Sequence, residues 1–102
     1  DKRNFTPEAR WWSVTGQSFS IDEFLSVLAI LHRQTIDGIV IDVSKHFEID
    51  DSLIIEATSS APLINGGHYS NRYLFLIHFR DNLIQEVREY NDSAHLAQSF
   101  QL

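Results

Sequence analysis

Between Asn65 and Asp92 the chain reads as a long strand, a tight turn at Asp81-Asn82 and a second strand ending in a carboxylate. Such alternation has a period of two, which sends successive side chains to opposite faces of a sheet. Tyr73, Phe75 and Phe79 lie on the first arm, while Glu86, Arg88 and Asp92 alternate with apolar residues on the second. Ionised groups beside an aromatic wall need partners, because desolvating them costs several kcal/mol. A pocket lined by both kinds of residue is therefore expected. Which residues of the second arm meet the aromatics depends on the turn. A plain two-residue turn gives Tyr73, Phe75, Phe79, Glu86, Arg88 and Tyr90 one face; a bulge brings Val87 and Glu89 to the aromatics instead.

The 102 residues fit one domain, taken here as 1–102, and such a domain is small enough for oligomerisation to help its stability. The formal charge of −6, with eight Lys plus Arg and no basic cluster beyond Lys2-Arg3, excludes a phosphate-binding face and with it a nucleic-acid partner. Disulfides and thiolate chemistry are absent with cysteine, which is compatible with a cytoplasmic location. No apolar run approaches the roughly 18 residues that would suggest a membrane span, and no signal-peptide pattern opens the chain. Because the chain begins at Asp1 without Met, a processed chain, a fragment or the ordered part of something longer is expected.

Ahead of the hairpin, residues 1–9 read as a polar arm, and Ala9 to Val14 as a short strand carrying Trp11 and Trp12. Thr15 to Ser18 is turn chemistry. Ser20 and Glu23 fit a capping box, and Ile21, Phe24, Leu25, Leu28 and Leu31 follow at helical spacing, so a helix is expected near 21–34. Ile39, Ile41, Val43, Phe47 and Ile49 then alternate with polar residues as a strand with one buried face, broken only at Lys45, which either lies along the surface or marks a bulge. Leu53 to Ser60 is a further strand, and 61–67, with Pro62 and two glycines, a loop. Asp92 to Phe100 reads as a short terminal helix. The order of strand, helix and four antiparallel strands is α+β, with helices to one side of a curved sheet.

The hairpin motifs Gly67-His-Tyr-Ser-Asn-Arg-Tyr-Leu-Phe75, Phe79-Arg-Asp-Asn-Leu-Ile84 and Glu86-Val-Arg-Glu-Tyr-Asn-Asp92, with Glu8-Ala-Arg-Trp-Trp12 and Leu53-Ile-Ile-Glu56, resemble the SnoaL-like, ketosteroid-isomerase-like branch of the nuclear-transport-factor-2 superfamily over about residues 8–100. The resemblance implies a cone-shaped α+β barrel, a pocket between sheet and helices, and frequent dimers. Its members include polyketide cyclases, steroid isomerases, epoxide hydrolases and dehydratases as well as proteins without catalysis. They normally place one or two helices before the first strand; here about nine residues precede it, so those helices look to be missing.

Under that resemblance Asp92 is the first candidate for proton transfer, since related enzymes carry an acid just after the last strand. Its residue type and position equally suit a helix N-cap, accepting amides at Ala94 or His95. Arg88 could orient or charge-balance Asp92, assisted by Tyr90, or form an exposed ion pair with Glu86. Glu56 is either a second acid facing Asp92 or the polar side of a half-exposed strand. Trp12, Leu28, Tyr73 and Phe75 are the expected ligand walls, with the reservation that adjacent Trp11 and Trp12 must point to opposite faces. The five histidines show no metal spacing, Gly66-Gly67 precedes no helix, and no nucleophile elbow is present, so metal, nucleotide-binding and serine-hydrolase chemistry are not expected. The sequence thus points to a cofactor-free isomerase, cyclase or dehydratase acting on a small hydrophobic, cyclic carbonyl compound. The alternative is a non-catalytic ligand-binding module, or one that forms a homodimer through its sheet.

Overall fold

A computed structural model describes residues 1–101. Six strands form one mixed sheet in the order β2-β1-β6-β5-β4-β3, with helices α1 and α2 against one face. The strands are β1 (Phe5–Ser13), β2 (Ser18–Ser20), β3 (Val40–Ile49), β4 (Ser52–Pro62), β5 (His68–Arg80) and β6 (Leu83–Asn91); the helices are α1 (Ile21–His32) and α2 (Ser93–Ser99). This is the expected α+β architecture, with β2 and β3 left as free edges so that the cone stays unclosed. β1 starts at Phe5, earlier than Ala9, because its N-terminal part reaches Ile84 on β6. Ser18 to Ser20, expected as turn and cap, pairs antiparallel with Arg10 to Trp12 as a short edge strand.

α1 starts where the sequence places it. The Ser20 hydroxyl accepts the Glu23 amide at 3.1 Å, and the Glu23 carboxylate accepts the Ser20 amide at 2.8 Å, which satisfies two otherwise orphaned donors. These hydrogen bonds hold the Glu23 carboxyl below its ordinary pKa. Ile21 and Leu31 are buried, and Phe24 stacks on Trp11 of β1. A cluster of buried hydrophobic residues lies at one end of the sheet, where Leu31 of α1 and Phe100, just after α2, meet Ala61 and Leu63 at the end of β4 and Tyr69 of β5. Gln34 and Gln101 exchange side-chain and backbone hydrogen bonds there, tying the chain's last turn to the end of α1.

Two bulges decide which residues face the helices. On β3 the register slips between Val43 and Lys45, leaving Ser44 as the extra residue. Ile41 and Val43 pair with Ser59 and Ala57 on the helix side, whereas Phe47 and Ile49 pair with Ile54 and Ser52 on the opposite face. The single buried face expected of β3 is thus divided between two faces, and every residue of this edge strand is exposed. The second bulge is on β6. Asp81 and Asn82 form a two-residue loop with φ of 52° and 66°, as a type I′ hairpin turn requires. Arg80 pairs with Leu83 and Phe79 with Ile84, but His78 pairs with Glu86, so Gln85 is the extra residue. Buried Thr6 donates to Gln85 Oε1 at 2.8 Å and holds the bulge from the β1 side. From Glu86 onward every side chain is turned to the face opposite the one a plain hairpin would give.

Replacing Ser20 by Ala removes the cap from the helix that covers Trp11. A loss of about 1 kcal/mol is expected, read as a fall of about 4–8 °C in the thermal midpoint of a domain this size.

Candidate active site: a carboxylate in an aromatic cavity

Past the Gln85 bulge, Val87, Glu89 and Asn91 face the helices, paired with Ile77, Phe75 and Tyr73 of β5. Glu89 and Asn91 join Trp11, Phe24, Leu28, Tyr73 and Phe75 around a cavity of about 390 Å³ between sheet and α1, with Leu96 of α2 also in its lining. Trp11 and Phe24 stack with centroids 3.8 Å apart, and Phe75 meets Trp11 at 6.2 Å and 77°. Tyr73 stacks on Phe75 at 5.3 Å. The walls are mostly apolar, with a few convergent polar groups, the usual make-up of a small-molecule site.

Glu89 is the carboxylate set into this wall from the sheet. Trp11 Nε1 donates to its Oε1 at 2.9 Å and Asn91 Nδ2 to its Oε2 at 2.6 Å. Among the described residues, no Lys or Arg lines the cavity. Desolvation by the surrounding rings raises its pKa; the two hydrogen bonds oppose that shift without cancelling it. A carboxyl shifted this way, next to space for a ligand, has the character of a general base or acid.

Behind the aromatic wall runs a second polar feature. Asn71 Nδ2 donates to the Tyr69 hydroxyl at 2.8 Å, the hydroxyls of Tyr69 and Tyr73 lie 3.0 Å apart, and Tyr73 donates to Ser59 Oγ at 3.0 Å. All four residues are buried, and burial raises the pKa of both phenols. Asn71 also bonds the Asp92 backbone at both N–H and C=O, which latches the start of α2 to the tyrosines.

Leu28, Tyr73 and Phe75 line the cavity. The other residues singled out from the sequence lie elsewhere. Asp92 is exposed and caps α2, its Oδ1 accepting the His95 amide at 3.0 Å, beside an open polar depression shared with Asn71, Arg72 and His95. Arg88, Tyr90 and Glu56 are on the outer face, because the Gln85 bulge inverts β6 and Glu56 pairs with the outward Leu74. There Arg88 forms an ion pair with Glu86 and lies 5.0 Å over the Trp12 ring, which also meets Tyr90 at 5.5 Å. Trp12 thus packs outside and Trp11 inside, as adjacent strand residues must. Glu89 was reachable from the sequence only through the bulged alternative. Among the described residues, no group of three or more His, Cys, Asp or Glu could hold a metal ion, and no helix is long and apolar enough to cross a membrane.

No family model matches the sequence, and no curated protein does. Solved structures match closely in shape. An NTF2-like protein of unknown function from Burkholderia pseudomallei superposes with a TM-score of 0.81 over 99% of this chain and 82% of its own, at 13% identity. A protein named as a SnoaL-like polyketide cyclase, from Jannaschia sp. CCS1, gives 0.80 over 97% and 74%, at 16% identity. A Catenulispora acidiphila protein with a ketosteroid isomerase-like fold, solved in complex with trimethylamine, gives 0.74 over 95% and 77%, at 19% identity. The chain has the nuclear-transport-factor-2-like fold, in the form carried by SnoaL-like and ketosteroid-isomerase-like proteins.

Burial of Glu89 makes stability depend on pH in a definite direction. The folded protein holds this proton more tightly than the unfolded chain, so the contribution is whole below the ordinary value of 4.5 and is lost as pH rises through the raised folded value. Glu89→Gln keeps an acceptor for Trp11 and never ionises. Melting both proteins from pH 4 to 8 should show Glu89→Gln gaining stability over the wild type as pH rises; a gap independent of pH contradicts a half-buried, desolvated carboxylate with no cationic partner.

Proposed function

We propose that this chain is a cofactor-free acid–base protein acting on a small apolar ring compound that bears a carbonyl, with Glu89 as the proton carrier. The observation that carries this reading is a carboxylate of raised pKa, fixed by Trp11 and Asn91 at the wall of an aromatic cavity. The isomerase, cyclase and dehydratase types share one elementary step. Glu89 takes a proton from carbon next to the carbonyl and the electron pair moves onto the carbonyl oxygen; the proton then returns to carbon in an isomerase, goes to the alkoxide formed on ring closure in a cyclase, or leaves with the expelled hydroxyl as water in a dehydratase. Asn91 Nδ2 spends one N–H on Glu89 and has a second to offer the developing oxygen charge. Trp11, Phe24 and Phe75 exclude water and hold a flat ring. A cyclase-type activity agrees with the name of the Jannaschia neighbour. In this reading residues 1–102 act as one pocket-bearing domain in the cytoplasm.

A simple probe of the step is exchange of the α-protons of 2-tetralone in heavy water, followed by NMR. The wild type is expected to accelerate exchange, and Glu89→Gln to lower the protein's contribution by about 10²–10⁴-fold. Asp92→Asn, still a good helix cap, should leave it unchanged. Exchange that survives Glu89→Gln, or that the wild type does not accelerate, contradicts the reading.

A second reading, a homodimer formed through the sheet, is favoured by the outer face. The row Trp12, Arg88, Leu76, Ile54 and Phe47 runs across β1, β6, β5, β4 and β3, and Leu74 and Tyr90 lie beside it. Phe47 is 58% exposed and Leu74 43%. An apolar surface of this continuity marks an interaction site, and a second copy would cover it with the same face. Sedimentation should show a dimer that Leu74→Lys converts to a folded monomer; a wild-type monomer at high protein concentration contradicts this.

A further inference from the structure

We infer that the cavity also takes a hydrophobic ammonium ion, a protonated tertiary amine on an apolar ring, with the Glu89 carboxylate as its counter-charge. The inference rests on the cavity being a ligand site, as proposed above, and goes beyond the carbonyl compound to a second chemical class. Three observations carry it. Among the described residues Glu89 is the one Asp or Glu of the lining, no Lys or Arg accompanies it, and the exposed residue His32 is the one lining group that could be cationic. Its hydrogen-bond partners, Trp11 Nε1 and Asn91 Nδ2, are neutral and take up one position on each oxygen. A carboxylate oxygen can accept more than one hydrogen bond, so acceptor sites remain for an N⁺–H donor.

The second observation is the ring geometry. Phe75 is the strand partner of Glu89, and its plane stands at 77° to that of Trp11, whose indole N–H is bonded to the same carboxylate. Trp11 is stacked on Phe24 and Phe75 on Tyr73, so these rings form an aromatic wall beside the carboxylate and not a two-sided cage; a ring quadrupole in that wall adds to the full negative charge in attracting an alkylated ammonium group. The third is energetic. Placing a cation in an apolar cavity is prohibitive unless it is paired, and here desolvation has already been imposed on the anion by folding. Alkylated ammonium ions are weakly hydrated compared with a primary amine, which selects a tertiary amine over a lysine-like group. The net charge of −6 adds long-range attraction for cations. Because the amine engages the carboxylate that takes the proton in the acid–base reading, it competes with the carbonyl compound.

The test compares N,N-dimethylbenzylamine, protonated at pH 7, with the near-isosteric neutral alcohol 2-methyl-1-phenylpropan-2-ol. Both are titrated into the ¹⁵N-labelled full chain at physiological salt, with the Trp11 indole N–H resonance as the site reporter. The expected result is that both shift this resonance, the amine binding about tenfold more tightly, and that Glu89→Gln abolishes the preference. If the alcohol binds as tightly as the amine, the ammonium inference is overturned while the cavity reading stands. A preference that persists in Glu89→Gln also overturns it, since it then comes from overall charge. If neither probe moves the Trp11 resonance, the cavity reading falls and this inference with it. Where the variant does not fold, the wild-type comparison alone still overturns the inference if the alcohol binds as tightly as the amine.

Discussion

One extra residue in β6 determines which side chains of this protein face its cavity. Without Gln85 as a bulge, the two-residue turn at Asp81-Asn82 would bring Glu86, Arg88 and Tyr90 to the helix side and send Glu89 to the outside. With it, the ion pair of Glu86 and Arg88 goes to the outer face, where solvent screens it, and a lone carboxylate is carried into the aromatic wall. Thr6 holds the bulged side chain, and Pro7 lies in the stretch where β1 also breaks register against β6. Both irregularities sit at the end of the sheet near the hairpin tip, so the strands beyond them run in regular register past the cavity.

Each side of that cavity answers a separate requirement. Folding half-buries Glu89 against a desolvation penalty, and of the two donors that limit it Trp11 comes from the neighbouring β1 and Asn91 from Glu89's own strand, β6. Trp11 is itself fixed by stacking on Phe24, which is placed by the capped start of α1. On the other side, the hydroxyls of Tyr69 and Tyr73 satisfy one another, Ser59 and Asn71, leaving no buried polar side-chain atom without a partner among the described residues. Asn71 then connects this network to the N-terminus of α2. The polar groups are thus consumed in holding the walls, and Glu89 is the charged group left facing the space.

The fold was legible because its signals are local. Ser20 and Glu23 announce the start of α1, Asp81-Asn82 the hairpin, and the alternating runs the strands. What could not be read was parity. A bulge leaves composition and average spacing untouched while exchanging the two faces of a strand, so β3 looked one-sided across Ser44, and β6 offered Arg88 and Tyr90 or Val87 and Glu89 with equal propriety. The same ambiguity separated Trp11 from Trp12. Asp92 illustrates a different difficulty: a carboxylate between a strand and a helix serves as cap or as catalyst by the same residue type, and only its bond to the His95 amide distinguishes the two. Tyr73, Phe75 and Leu28 were legible as walls because they lie before the bulge or on the helix, where parity was never in question.

The most direct measurement of the central claim is a pH titration of the Glu89 side-chain carboxyl by ¹³C NMR in the intact, unliganded protein, assigned by its absence in Glu89→Gln. The account predicts a midpoint above the ordinary glutamate value, as burial in the aromatic wall requires. A midpoint at or below that value would mean that the carboxylate is solvated or paired with a cation, and that the bulge does not carry it into the cavity.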